Sequence, residues 1–129
     1  MNPEMSGDDS DVAARWVDVG PDHDVTKKRK VVVDDGRGRA IVVIAHDGSF
    51  YAMDNICIHR QRELAKGVVL NGRLVCPGHQ WSFDLTCGWE AVKEQCQPTY
   101  AVRVEAGVVQ VDVQSRRVLV EPPASSTTP

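Results

Sequence analysis

The sequence predicts an all-β domain. Ten glycines and seven prolines are spread through 129 residues, valine is abundant, and no stretch carries a sustained helical period. Short apolar runs are divided by turn pairs such as Asp47-Gly48 and Asn71-Gly72, the pattern of antiparallel hairpins. The length is that of a single domain.

Taken in order, the chain opens on MNPEMSGDDSD, an acidic stretch expected to be a disordered tail over 1–13. Strands are expected at 15–19, 30–33, 40–45 and 49–53, with Asp47-Gly48 turning the last two into a hairpin. The basic run Lys27 to Lys30 reads as the solvated entrance to a strand; a net charge of −3 argues against a nucleic-acid partner. RQRELAKG holds one helical turn at most. GVVL and RLVC flank Asn71-Gly72, whose residues accept the positive φ of a two-residue turn. A strand is expected at 81–85. Residues 100–105 and 108–113 alternate apolar and polar around Ala106-Gly107 and read as a closing hairpin. Residues 118–120 suggest a short edge strand, and EPPASSTTP a second disordered tail over 121–129.

No apolar run approaches the ~20 residues of a membrane span, and the first residues lack the apolar core of a signal peptide. The expectation is a cytoplasmic protein with no membrane or nucleic-acid partner. In that compartment four cysteines are thiols or metal ligands sooner than disulfides.

The chemistry is concentrated in two pairs, Cys57-x-His59 and Cys76-x-x-His79. Each lies where a strand runs into a loop, with the Asn71-Gly72 hairpin between them. In extended chain, positions two apart point the same way, so Cys57 and His59 can face one centre. Pro77 and Gly78 suit the middle of a type II turn that would return His79 towards it. Two thiolates and two imidazoles could hold tetrahedral zinc. Each half, however, carries one ligand of each kind, which suits a two-iron cluster with both cysteines on one metal and both histidines on the other.

With these boxes in view the sequence resembles the Rieske 2Fe–2S domain family, and within it the Rieske-type ferredoxins. CIHRQRELAKG is similar to the family's first box with its downstream Leu and Gly, CPGHQWSFDL to its second, and YAVRVEAGVVQVDV to its closing hairpin, so the resemblance covers roughly residues 15 to 115. It implies one 2Fe–2S cluster per chain, with Cys57 and Cys76 on an inner iron and His59 and His79 on an outer iron near solvent. It implies a Rieske fold over 14–120: an antiparallel β-sandwich base with a small inserted cluster-binding subdomain, about 54–86. No catalytic, substrate-converting site is expected in this chain.

Several kinds of Rieske protein differ in their remaining residues. A catalytic oxygenase subunit would add a mononuclear iron site, yet no histidine follows His79 and nothing of domain size follows residue 120. A respiratory quinol-oxidising subunit would carry two further cysteines where Arg62 and Gly78 stand, and an anchor. Two readings remain. One is a ferredoxin that carries single electrons from a flavin-dependent reductase to a terminal oxygenase such as a dioxygenase. The other is the small subunit of an NAD(P)H-dependent assimilatory nitrite reductase, partnered by its large subunit; EQCQPTYAVRV is similar to a segment of such subunits. A non-redox interaction module with a Rieske-like fold is the alternative outside electron transfer. High-potential relatives place Ser and Tyr where this chain has Trp81 and Phe83, so the resemblance implies a low midpoint potential.

Other residues receive plainer readings. Cys87 and Cys96 fall in neither box and are expected to be small buried hydrophobes. His23 is placed in a polar loop and His46 beside a turn, both as surface residues. Trp81 and Phe83 are expected to shield the cluster or fill the core near it, and Trp89 to pack or sit in an exposed loop. Arg60, Arg62, Lys66 and Arg73, set against Asp54, Glu63 and Asp84, read as a solvated loop surface, with partner docking as the alternative.

Overall fold

A computed structural model describes residues 13–59, 61–77 and 81–123. Its strands are β1 (Trp16–Pro21), β2 (Lys30–Asp34), β3 (Ala40–His46), β4 (Ser49–Asp54), β5 (Val68–Leu70), β6 (Arg73–Val75), β7 (Ser82–Asp84), β8 (Trp89–Glu90), β9 (Gln95–Cys96), β10 (Thr99–Tyr100), β11 (Val102–Glu105) and β12 (Val108–Asp112). One helix, α1 (Asp22–Lys28), and a 3-10 turn, Leu64–Lys66, complete the described elements.

All pairings are antiparallel. One sheet runs β10-β4-β3-β2 and a second β11-β12-β1; the segment between β4 and β10 carries β5-β6-β7 and the short pair β9-β8. Strand β3 explains the arrangement. Its run Ile41-Val42-Val43-Ile44 is apolar at every position, the signature of a strand buried on both faces. Ile41 and Val43 pack with Ala52, Tyr100, Val109 and Val111 in the core shared by the two base sheets. Val42 and Ile44 point the other way, into a second core with Leu64, Leu74, Phe83, Leu85 and the two box cysteines.

The three two-residue turns follow from local chemistry. Register partners His46↔Ser49, Leu70↔Arg73 and Glu105↔Val108 leave Asp47-Gly48, Asn71-Gly72 and Ala106-Gly107 as the loops. Both residues of each pair have positive φ, between 51° and 80°, as the twist of a tight hairpin requires.

Four expectations need correction. Residues 22–28 form α1, so His23, Lys27 and Lys28 lie on a helix and not in a loop or strand entrance. Only Val25 on it is buried, which leaves no apolar period to read; the surviving signal is charge order, Asp22 and Asp24 first and Lys27 and Lys28 last, which suits the helix dipole. The expected strand 100–105 is broken at Ala101, where the chain leaves the first sheet for the second: Tyr100 pairs with β4 and Val102 with β12. Residues 118–120 are not a strand; the bridge Thr99↔Arg117 ends just before them, Leu119 packs on the Cys87 and Cys96 cluster, and Val120 is 92% exposed. The pair β8-β9 was not anticipated. Apart from Ala13 and residues 121–123, the expected tails lie outside the described residues.

Where β4 ends, the buried Asp54 gathers a polar knot. Its carboxylate accepts the Tyr100 hydroxyl at 2.5 Å, Arg116 at 2.8 and 3.2 Å, and Arg39 at 3.3 Å. The next residue begins the first box.

Candidate metal centre

The first box is a tongue pinned at its root. The Asn55 N–H donates to the Ala40 carbonyl (2.9 Å), while its side-chain oxygen accepts the Ala65 N–H (2.9 Å) and its carbonyl the Leu64 N–H (2.6 Å). Further out, Ile56 bridges Glu63 and the Cys57 N–H donates to the Arg62 carbonyl at 2.9 Å. The resulting alternation buries Cys57, exposes Ile58 and leaves His59 half-buried. Leu64, fully buried, and Gly67, where an added Cβ would lie 2.0 Å from the Val75 carbonyl oxygen, explain the Leu and Gly downstream of the box.

The second box leaves β6 at Val75. The buried Cys76 donates its N–H to the Trp81 carbonyl at 2.8 Å, which closes the loop before β7 begins. Gly78, His79 and Gln80 lie outside the described residues, and with them the expected type II turn and the fourth candidate ligand. Among the described residues no three His, Cys, Asp or Glu side chains form a group able to hold a metal ion.

What the structure does bring together is the cysteine pair. Cys57 and Cys76 share the apolar cluster of Leu64, Leu74 and Phe83. Burial, and then the neighbouring Cys57 thiol, push the Cys76 thiol up to about 12, with Arg62 pulling the other way. Buried so, the Cys76 thiol becomes a thiolate only against a positive charge such as a metal's. Flanking them, the His59 ring lies on Trp81 with centroids 4.2 Å apart. Two buried sulfurs in one apolar core suit a soft, iron–sulfur type of centre.

Sequence reasoning missed two residues of the surround. Gln97 is fully buried; its amide nitrogen donates to the carbonyls of Asp54 and Ile56, each at 2.8 Å, and its oxygen accepts the Ile58 N–H at 2.9 Å. Glu90, also buried, accepts the Ser82 N–H at 2.8 Å. Burial alone would raise the Glu90 carboxyl, but the N–H groups of Ser82, Lys93 and Val92 and the Ser82 hydroxyl outweigh it and hold the group below its ordinary range.

The remaining candidates stand apart. Cys87 and Cys96 are buried with Trp89 in a cluster of their own, as the reading of small hydrophobes expects. Trp81 and Phe83 pack at the centre, Phe83 fully buried. His23 is exposed, and His46 sits 3.6 Å from the Asp47 carboxylate beside its turn.

A family model described as the Rieske [2Fe-2S] domain matches residues 15–112. The chain belongs to this family. This Rieske chain is 28% identical over 102 residues to the ferredoxin component of the alkene monooxygenase system of Xanthobacter autotrophicus, covering 77% of the chain and 82% of the relative. It is 30% identical over 96 residues to the ferredoxin component of the naphthalene 1,2-dioxygenase/salicylate 5-hydroxylase systems of a Ralstonia species, covering 70% and 88%. Its fold matches a chain from the complex of reduced oxygenase and oxidized ferredoxin in carbazole 1,9a-dioxygenase, with a TM-score of 0.72, 20% identity and coverage of 81% and 98%. No helix among the described residues of this Rieske chain is long and apolar enough to cross a membrane.

Proposed function

We propose that the chain is a Rieske-type ferredoxin of the cytoplasm, carrying single electrons from a flavin-dependent reductase to a terminal oxygenase. Cys57, His59, Cys76 and His79 would hold one 2Fe–2S cluster, which supplies one-electron storage. The observation that carries this reading is the gathering of Cys57 and Cys76 in one buried apolar core, with the half-buried His59 two residues beyond Cys57. The two relatives named as ferredoxin components of oxygenase systems support it at the level of the partner.

The chain's own groups divide the work. Leu64, Leu74 and Phe83 keep water from the thiols. The Cys57 and Cys76 N–H groups are spent on closing their own loops, which fixes where the sulfurs point. His59, half-buried where both cysteines are buried, would stand on the solvent side of the cluster, where a partner could approach it.

Iron and acid-labile sulfide on purified protein test the cluster, and reduction by a flavin reductase followed by oxidation with a cognate oxygenase tests the role. Two irons and two sulfides per chain, lost in Cys57→Ser and Cys76→Ser, are expected. Stoichiometric zinc without sulfide would refute the cluster, and capture of a nitrite reductase large subunit in place of an oxygenase would reassign the partner.

A further inference from the structure

The two box loops come from different strands, and no disulfide joins one loop to the other. A third element reaches both. The hairpin over 87–97, built on β8 and β9, lies outside either box, yet each of its two buried polar side chains reaches one of the loops. Gln97 uses both faces of its amide on the first loop, at residues 39 to 43 positions away. Glu90 accepts the backbone of Ser82, where the second loop runs into β7, with one carboxylate oxygen. The other oxygen accepts the N–H groups of Val92 (2.8 Å) and Lys93 (3.0 Å) at the hairpin's own tip. That tip places the Lys93 ammonium 5.6 Å from the Trp81 ring, the same ring on which His59 rests.

The hairpin is itself held rigidly. The Gln97 N–H donates to the Gly88 carbonyl at 2.8 Å, and Gly88 has a φ of +80° with the Gln97 carbonyl so near that an added Cβ would lie 2.0 Å from it. Only glycine fits both the conformation and the approach. Below it, the Asp54 N–H donates to the Pro98 carbonyl at 2.9 Å, which joins the hairpin's exit to the root of the first loop.

We propose that the 87–97 hairpin is a brace that sets the position of one box loop against the other, with Gln97 and Glu90 as its positioning residues. A fully buried amide whose donors and acceptor all find partners is a fixed spacer, because turning it would leave buried polar groups unpaired. The Ile58 N–H, in the middle of Cys57-x-His59, is committed to Gln97 Oε1, so the orientation of that peptide is dictated from the hairpin. The brace rests on the cluster reading only for what it positions; the hydrogen-bond frame exists in the chain itself.

Hydrogen exchange of the full, cluster-loaded chain, read on peptides by mass spectrometry, tests this. Gln97→Leu should speed exchange in 54–60 by about ten-fold or more, since three backbone-directed bonds disappear, while 40–46 in β3 keeps its protection. Glu90→Gln should speed exchange in 81–85 and spare 54–60. In both variants iron should be lost to a chelator faster than from the unmutated chain. Gln110→Leu, at a half-buried glutamine on β12 whose side chain bonds Asp18 and Arg103, should change neither loop. Unchanged exchange at 54–60 in Gln97→Leu, or acceleration shared equally with β3, overturns the brace. Should Gln97→Leu not fold, Gln97→Glu keeps an acceptor for Ile58 and decides on the same two outcomes. An unmutated chain without iron would sink the cluster assignment yet leave the exchange comparison intact, so the two failures are told apart.

Discussion

The imidazole of His59 lies flat against the indole of Trp81, with centroids 4.2 Å apart and planes 16° apart. Trp81 in turn leans on the buried Phe83 at 6.2 Å. By the resemblance, these two rings stand where high-potential relatives carry the Ser and Tyr hydroxyls.

The first prediction is a low midpoint potential, near the bottom of the Rieske span of about −150 to +300 mV. Trp81→Ser combined with Phe83→Tyr should raise it by roughly 40–60 mV for each hydroxyl that gains a sulfur acceptor, from about 1 kcal/mol per bond and 59 mV per tenfold for one electron. Voltammetry at neutral pH checks this. A starting value above about +200 mV would contradict the assignment of these rings.

The second concerns the cysteines away from the boxes. Cys96 donates its thiol to the Cys87 carbonyl at 3.2 Å, inside a cluster with Trp89 and Leu119. Replacing both by Ala should leave iron and sulfide content unchanged while lowering stability by about 1 kcal/mol per site. Loss of iron from the double variant would place a sulfur of this cluster among the ligands.

The third addresses the knot at Asp54. The carboxylate is nearly buried, but its partners Arg39 and Arg116 keep 49% and 39% of their side-chain surface in water. Removing the anion therefore costs less than breaking a fully buried pair. Asp54→Ala should cost about 2–3 kcal/mol and Arg116→Ala about 1 kcal/mol in denaturant titrations. Equal losses would mean that the ion pair, and not the buried carboxylate's three partners, carries the effect.

The fourth is a pH effect. Burial first, and then the hydrogen bond and charge of Asp54, raise the Tyr100 phenol well above its ordinary value of 10.0. A folded-state value above the unfolded one stabilises the neutral phenol: its contribution is complete below about pH 10 and is lost as pH rises through the folded value. Tyrosinate absorbance gained up to about pH 11 should therefore be the same in Tyr100→Phe as in the unmutated protein. A smaller gain in the variant would show Tyr100 ionising early.

Much of this was legible because its causes are local. Asp47-Gly48, Asn71-Gly72 and Ala106-Gly107 announce their hairpins through residues that tolerate positive φ. Cys57, His59, Cys76 and His79 form a candidate ligand set by type and spacing; the structure places the two cysteines in one core, and His79 lies outside the described residues. What escaped depends on distant partners. Helix α1 buries a single residue, Val25, so its period leaves no trace. Strands β8 and β9 are two residues each, and the turn between them is shaped by the Glu90 carboxylate and by the Glu94 N–H donating to the Glu90 carbonyl at 2.7 Å. Gln97 looks like any glutamine until Ile58, 39 positions earlier, arrives beside it.

Met53 and Thr99 are register partners on neighbouring strands. The chain thus departs from the base at Asp54 and rejoins it one strand over, about 5 Å away, whatever lies between. Such a doorway makes residues 55–98 a cassette. Lengthening or exchanging its outer loops should leave the pairing of β4 with β10 in place, provided that the knot at Asp54, the return through Pro98 and the core of Leu64, Leu74 and Phe83 are kept. Recognition of a new redox partner could then be grafted onto the tip without rebuilding the base on which it stands.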